Sequence, residues 1–91
     1  MATQIREAPG KTHRCPCCKF KTLRGRGQYE ICPVCFWNDD GQDEGEAHEV
    51  WGGPNRKLSL RQAQTNFAAF GASDEFRKQF VRAPFPDECD A

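Results

Sequence analysis

The chain has 91 residues, 37% hydrophobic and 29% charged, with six cysteines and a formal net charge of zero. That length suits one domain, and so thin an apolar supply leaves a small core that needs a staple, a metal or disulfides. Zero net charge excludes a general electrostatic attraction to DNA, RNA or anionic membrane, and no apolar run approaches the roughly 18 residues of a membrane span.

The opening "MATQIREAPGK" is polar and has no apolar core of a secretion signal. Residues 1–12 are therefore expected to form a loose arm, and the protein to be cytoplasmic. Thiols stay reduced there, and clustered cysteines bind metal more often than they pair. From Arg14 the pattern changes. "FKTL" and "QYEIC" are short segments rich in aromatic and β-branched residues, separated by "RGRG", whose glycines can turn the chain. This predicts a β-hairpin. Alternation puts Phe20 and Thr22 on one face and Lys21 and Leu23 on the other, while Tyr29 and Ile31 share a face opposite Glu30. Phe36 and Trp37 follow the second cysteine turn and are expected to pack over the hairpin.

Residues 38–58 show little periodicity, and Asp-Gly, Gly-Gly-Pro-Asn and a run of acids mark them as loop. Charge is unevenly placed here. Residues 32–50 carry six Asp/Glu and no Lys/Arg, whereas residues 1–31 carry a balance of +5 and 51–83 of +4. Asp39, Asp40, Asp43, Glu44, Glu46 and Glu49 read either as a solvated loop that balances its neighbours or as an acidic recognition surface. "NDDGQDEGE" lacks the order of a calcium loop and its glutamate at the twelfth position, so no Ca²⁺ or Mg²⁺ site is assigned. At Ser59, "SLRQ" matches a capping box in which Ser59 accepts from the Gln62 amide and Gln62 reaches back to the Ser59 amide. Leu60, Ala63, Phe67 and Phe70 form one apolar stripe, and Gly71 sits where a left-handed cap is expected. Ser73 offers a second N-cap to a short helix, with Asp74 and Glu75 in its first turn. Phe76 and Phe80 on that helix are expected to be core contacts. Pro84 ends it, and "APFPDECDA" reads as a tail.

The cysteines hold one internal echo. "CPCC" at 15–18 and "CPVC" at 32–35 both read C-P-x-C, in an overall spacing of C-x2-C-x13-C-x2-C. Two such turns supply four thiolates to a tetrahedral Zn²⁺ at about 2.3 Å. The expected metal ligands are Cys15, Cys18, Cys32 and Cys35, holding one structural Zn²⁺ with no position open for water. Iron is the less favoured ion on the same ligands. Turn amides are expected to donate to the sulfurs, and Arg14, Lys19 and Lys21 to offset the residual negative charge. Cys17 is either a tolerated free thiol or a redox-sensitive, exchangeable one, Cys89 an idle one, and His13 and His48 lone histidines outside the site. No Ser/His/Asp or Cys/His arrangement stands at readable spacing, so no catalytic residue is assigned and the chain is not read as an enzyme.

The expected architecture is a small α+β fold: a zinc-ribbon or rubredoxin-like β-hairpin with two cysteine turns, then a loop and one or two short C-terminal helices. Residues 13–83 are read as a single zinc-stapled domain, divided into a ribbon (13–37), an acidic and Gly-Pro loop (38–58) and a helical part (59–83), with a tail over 84–91. At "CPCC", "GQYEICPVCFW", "DDGQDE", "GGPN" and "SLRQAQTNFAAFGA", from Cys15 to Ala72, the chain resembles the bacterial cysteine-rich CPCC family. The resemblance implies a small bacterial protein with a zinc-binding start, and it brings no catalytic residues. A glycine often follows the quartet in that family, where this chain has Lys19. Three functions stay open. The first is an interaction module for another protein, of a toxin-neutralising, immunity or regulatory kind. The second is a nucleic-acid-binding zinc ribbon, resting on "RGRGQY", with Tyr29, Arg24 and Arg26 at the hairpin tip. The third is a rubredoxin-like iron redox protein.

Overall fold

Each cysteine quartet folds back on itself. In the computed structural model, which describes residues 13–89, strand β1 (His13–Arg14) runs antiparallel to β2 (Lys21–Leu23) around the first quartet. The expected arm and residues 90–91 lie outside the described residues. Within the turn, Cys15 N donates to Phe20 O (2.9 Å) and Lys19 N to Cys15 O (2.8 Å). The second quartet repeats this. Ile31 and Asn38 bridge antiparallel, Cys32 N donates to Trp37 O (3.0 Å), and Phe36 N to Cys32 O (2.8 Å).

The hairpin is therefore not the one expected between "FKTL" and "QYEIC". Each C-P-x-C turn reverses the chain, so the residues flanking it pair locally and close a much shorter loop. Thr22 and Leu23 are both buried, against the expected alternation, while Tyr29 and Ile31 are both exposed. The "RGRG" segment is tied down by Asp39. This fully buried carboxylate accepts from Arg26 Nε (2.8 Å), Gly27 N (2.8 Å) and Gly41 N (3.3 Å). A side chain at Gly27 would meet the Gly41 backbone at 3.7 Å, and both glycines hold positive φ there.

The acidic loop contains two 3₁₀ turns, Glu44–Glu46 and Gly53–Asn55. Two buried amides organise it. Gln42 donates to the carbonyls of Glu46 and Glu49 and accepts from Leu60 N (3.1 Å). It thus satisfies an orphan donor of the following helix. Asn55 accepts from Asn38 N (3.1 Å) and donates to Asn38 O (2.7 Å), pinning the loop to the second cysteine turn.

Helix α1 (Leu60–Phe70) ends as expected at both termini: Ser59 accepts from Gln62 N (3.0 Å), and Gly71 is left-handed at φ 84°. Only half of the capping box forms, because the Gln62 side chain donates to Asn66 (2.8 Å) instead. Leu60 and Ala63 are fully buried against the cysteine turns, with Phe67 packed at the edge. The next element is a 3₁₀ turn, Glu75–Phe80, capped by Asp74, which accepts from Phe76 N. The expected cap Ser73 is instead buried, its N–H given to Cys35 O (2.8 Å). Phe76 and Phe80, expected in the core, are 67% and 50% exposed. The last described residues form a helical turn, α2 (Pro86–Cys89), with Glu88 buried. No helix among the described residues is long and apolar enough to cross a membrane.

Candidate metal centre

The two quartet turns face each other across the core. The sulfurs of Cys15, Cys18, Cys32 and Cys35 all lie within 4.8 Å of one another and could hold a metal ion. Cys15 Sγ is 3.6 Å from Cys35 Sγ, and Cys18 Sγ is 3.7 Å from Cys32 Sγ. These are not disulfides, whose sulfurs are about 2.05 Å apart. A tetrahedron with about 2.3 Å from ion to sulfur has edges of roughly 3.8 Å, which these two pairs match. Cys15, Cys32 and Cys35 are fully buried and Cys18 nearly so.

Four thiols this close cannot ionise independently. Hydrogen bonding with Cys18 and Cys32, together with burial, pushes the Cys15 thiol up. Bonds with Cys15 and Cys17 do the same for Cys35. At Cys18 the bond with Cys15 pulls down, but those with Cys32 and Cys35, and burial, outweigh it. Cys32 goes far down, because the thiols of Cys15, Cys18 and Cys35 and the Thr22 hydroxyl, 3.0 Å away, stabilise its thiolate. Without a cation only Cys32 is favoured as the thiolate, and all four sulfurs ionise together only around a bound cation that takes up their charge.

The surroundings differ from expectation. Val34 N points at Cys32 Sγ (3.4 Å), and no other backbone N–H to a sulfur is found among the described residues. Lys19, expected to offset the cluster, pairs outward with Glu44 (3.1 Å). The arginines that grip the second cysteine turn are Arg77, pushed down by burial, and Arg82, held up by its hydrogen bond with Glu88. Both come from the segment after α1. Arg77 also reaches Phe36 O (3.0 Å) and Pro54 O (2.8 Å). Arg82 N donates to Pro33 O (3.2 Å). The first turn is held from α1, where Gln64 Nε2 donates to Pro16 O (2.9 Å). Spacing singles out the four clustered thiols; these grips depend on tertiary contacts that no local pattern signals.

Cys17 is buried beside Cys35, outside the four-sulfur group. Cys89 is exposed, and His13 and His48 are exposed and outside the cluster. The acidic loop is largely spent internally. Asp39 and Asp43 pair with Arg26, Asp40 accepts from Gln42 N and Asn55, and Glu44 binds Lys19, Arg61 and Gln64.

The cysteine-rich CPCC family model matches residues 13–88. The chain belongs to the cysteine-rich CPCC family. The match extends past the Cys15–Ala72 stretch that carries the resemblance in sequence, and takes in Arg77, Arg82 and Glu88. No curated protein and no solved structure matches the chain. In this CPCC protein all four clustered sulfurs lie within the matched residues.

Proposed function

We propose that the protein is a structural-zinc interaction module: Cys15, Cys18, Cys32 and Cys35 hold one Zn²⁺, and the domain so stapled binds another protein. The observation that carries this is the cluster of four buried sulfurs, with no histidine or carboxylate among them. A site filled by four protein ligands is structural, because catalysis needs a free coordination position. Zn²⁺ bound there supplies on the order of 10 kcal/mol to folding and no reaction chemistry. A protein partner, of the toxin-neutralising, immunity or regulatory kind, suits a small domain without a catalytic constellation. Of the residues behind the nucleic-acid reading, Arg26 is bound to Asp39, Asp43 and Gln42 O, which leaves Arg24 and the exposed Tyr29 to carry it.

Metal analysis of the purified full chain tests the first half. One zinc per chain and a colourless protein are expected; a coloured, redox-active preparation would make it an iron protein. Cys32→Ser is expected to lose the metal and unfold, whereas Cys17→Ser keeps both metal and fold. Loss of metal from Cys17→Ser would mean that the wrong thiols have been assigned. Pull-down from the native host with zinc-loaded bait addresses the partner.

A further inference from the structure

In a chain with so little apolar material, leaving two phenylalanines half to two-thirds exposed needs a reason. Phe80 stacks on Phe36 (centroids 5.0 Å, 28°), and Phe76 meets Phe80 edge to face (5.9 Å). The three rings and Pro54 wall a cleft of about 190 Å³. Arg56 and Arg77 stand at its rim. Arg77 lies 5.7 Å over the Phe36 ring and is fixed by carbonyl and amide oxygens, with no ion pair among the described residues. Arg56 has no side-chain hydrogen bond or ion pair among them either. Its backbone sits at φ 56°, ψ −117°, a conformation L-residues rarely adopt, held by the Gly52–Gly53–Pro54 turn. Arg56 and Arg77, side by side against the single carboxylate of Asp74, leave the rim net positive beside the aromatic rings.

We propose that this cleft docks an acidic segment of another protein, one apolar side chain entering between Phe36, Phe76 and Phe80 while flanking carboxylates meet Arg56 and Arg77. The proposal rests on the interaction-module reading and gives its partner a chemistry. The volume is below the roughly 300–1,000 Å³ of small-molecule sites, which suits a single anchor side chain. Arginine and aromatic residues are the types that dominate such anchoring contacts. A single nucleic-acid strand would need a continuous cationic groove, and a cleft of about 190 Å³ with two guanidiniums is too short to track one.

The test is an NMR titration of the full zinc-loaded chain with the blocked pentapeptide Asp-Glu-Trp-Glu-Asp. Shifts confined to residues around Phe36, Pro54–Arg56 and Asp74–Phe80 are expected, weakening as salt rises. Arg56→Glu should lower affinity at least about tenfold, the scale of one charged contact, with metal content and melting unchanged. Phe80→Ala should lower it comparably. The proposal is overturned by an absence of shifts at millimolar peptide, or by equal binding of a Lys-Lys-Trp-Lys-Lys peptide. It is also overturned by tighter binding of oligo-dT at the same residues, or by self-association of the free chain through the cleft. If a host partner is found and Arg56→Glu captures it equally, the cleft is wrong and the module reading survives.

Discussion

Lys19 and Phe36 occupy the same place in the two cysteine turns, one residue past the second thiol, and both are left-handed (φ 73° and 67°). Each gives its N–H back to the first cysteine's carbonyl at 2.8 Å, so the hand belongs to the turn and not to the side chain. An L-residue pays roughly 1–2 kcal/mol in that region. Lys19→Gly is expected to raise stability by about 0.5–1 kcal/mol, net of its exposed Glu44 pair, which contributes little. Denaturant unfolding of the zinc-loaded protein measures this. Phe36→Gly relieves the same strain but should destabilise, because Phe36 carries the Phe80 stack and the Arg77 contact. The C-P-x-C echo made the four sulfurs legible, since spacing alone dictates that geometry. The left-handed position was hidden, because nothing about a lysine or a phenylalanine announces positive φ.

Among elements, the segment after α1 departs most from what its residues suggest. "APFPDECDA" lacks periodicity and reads as a tail, yet Arg82 and Glu88 form a two-pronged ion pair at 2.9 and 3.0 Å, and Phe85 N donates to Glu88 (2.8 Å). The Arg82 guanidinium stacks 3.8 Å over the Phe85 ring. The pair spans only six residues, but it is anchored by Arg82 N donating to Pro33 O (3.2 Å), a tertiary contact that a local pattern cannot encode. Arg82→Ala strands the Glu88 charge and should cost about 3 kcal/mol, read as a lowered unfolding midpoint, whereas Glu75→Ala on the exposed 3₁₀ turn should cost under about 0.5 kcal/mol. Helix α1, by contrast, was legible from Ser59, Gly71 and its apolar stripe, because caps and period are local. Its tie to the first cysteine turn runs through Glu44, whose carboxyl Gln64, Lys19 and Arg61 hold down at about 2. A depressed carboxyl pKa stabilises fully above its unfolded value near 4.5 and loses that contribution as pH falls toward 2. Glu44 is 55% exposed, so screening limits the effect to under about 1 kcal/mol. The stability difference between the native chain and Glu44→Gln should therefore shrink to nothing between pH 4.5 and 2, and at pH 7 it should narrow in high salt.

At the scale of the whole molecule, five of the twelve buried apolar residues among those described are cysteines, and among them only Leu23, Val34, Trp37 and Leu60 add large hydrocarbon or aromatic volume. Burying a side chain of that size yields roughly 1.5–3 kcal/mol, which does not match the backbone entropy of ordering a domain of this length. The sulfur cage sits where a larger protein would place its core, and both cysteine turns, α1 and the Arg77–Arg82 segment pack on it or hydrogen-bond to it. Removing the proposed metal should therefore not open one loop but release all of these elements together. Stripping it with a strong chelator under reducing conditions is expected to abolish the helical circular dichroism of α1, despite its sound caps, since an isolated eleven-residue helix is marginal in water. Amide protection should vanish for Ser73, Arg82 and the turn amides in the same step, and Zn²⁺ should restore all of it reversibly. If α1 kept its protection while the cysteine turns lost theirs, the hydrocarbon core alone would hold the helical half, and the cage would be an accessory to the fold.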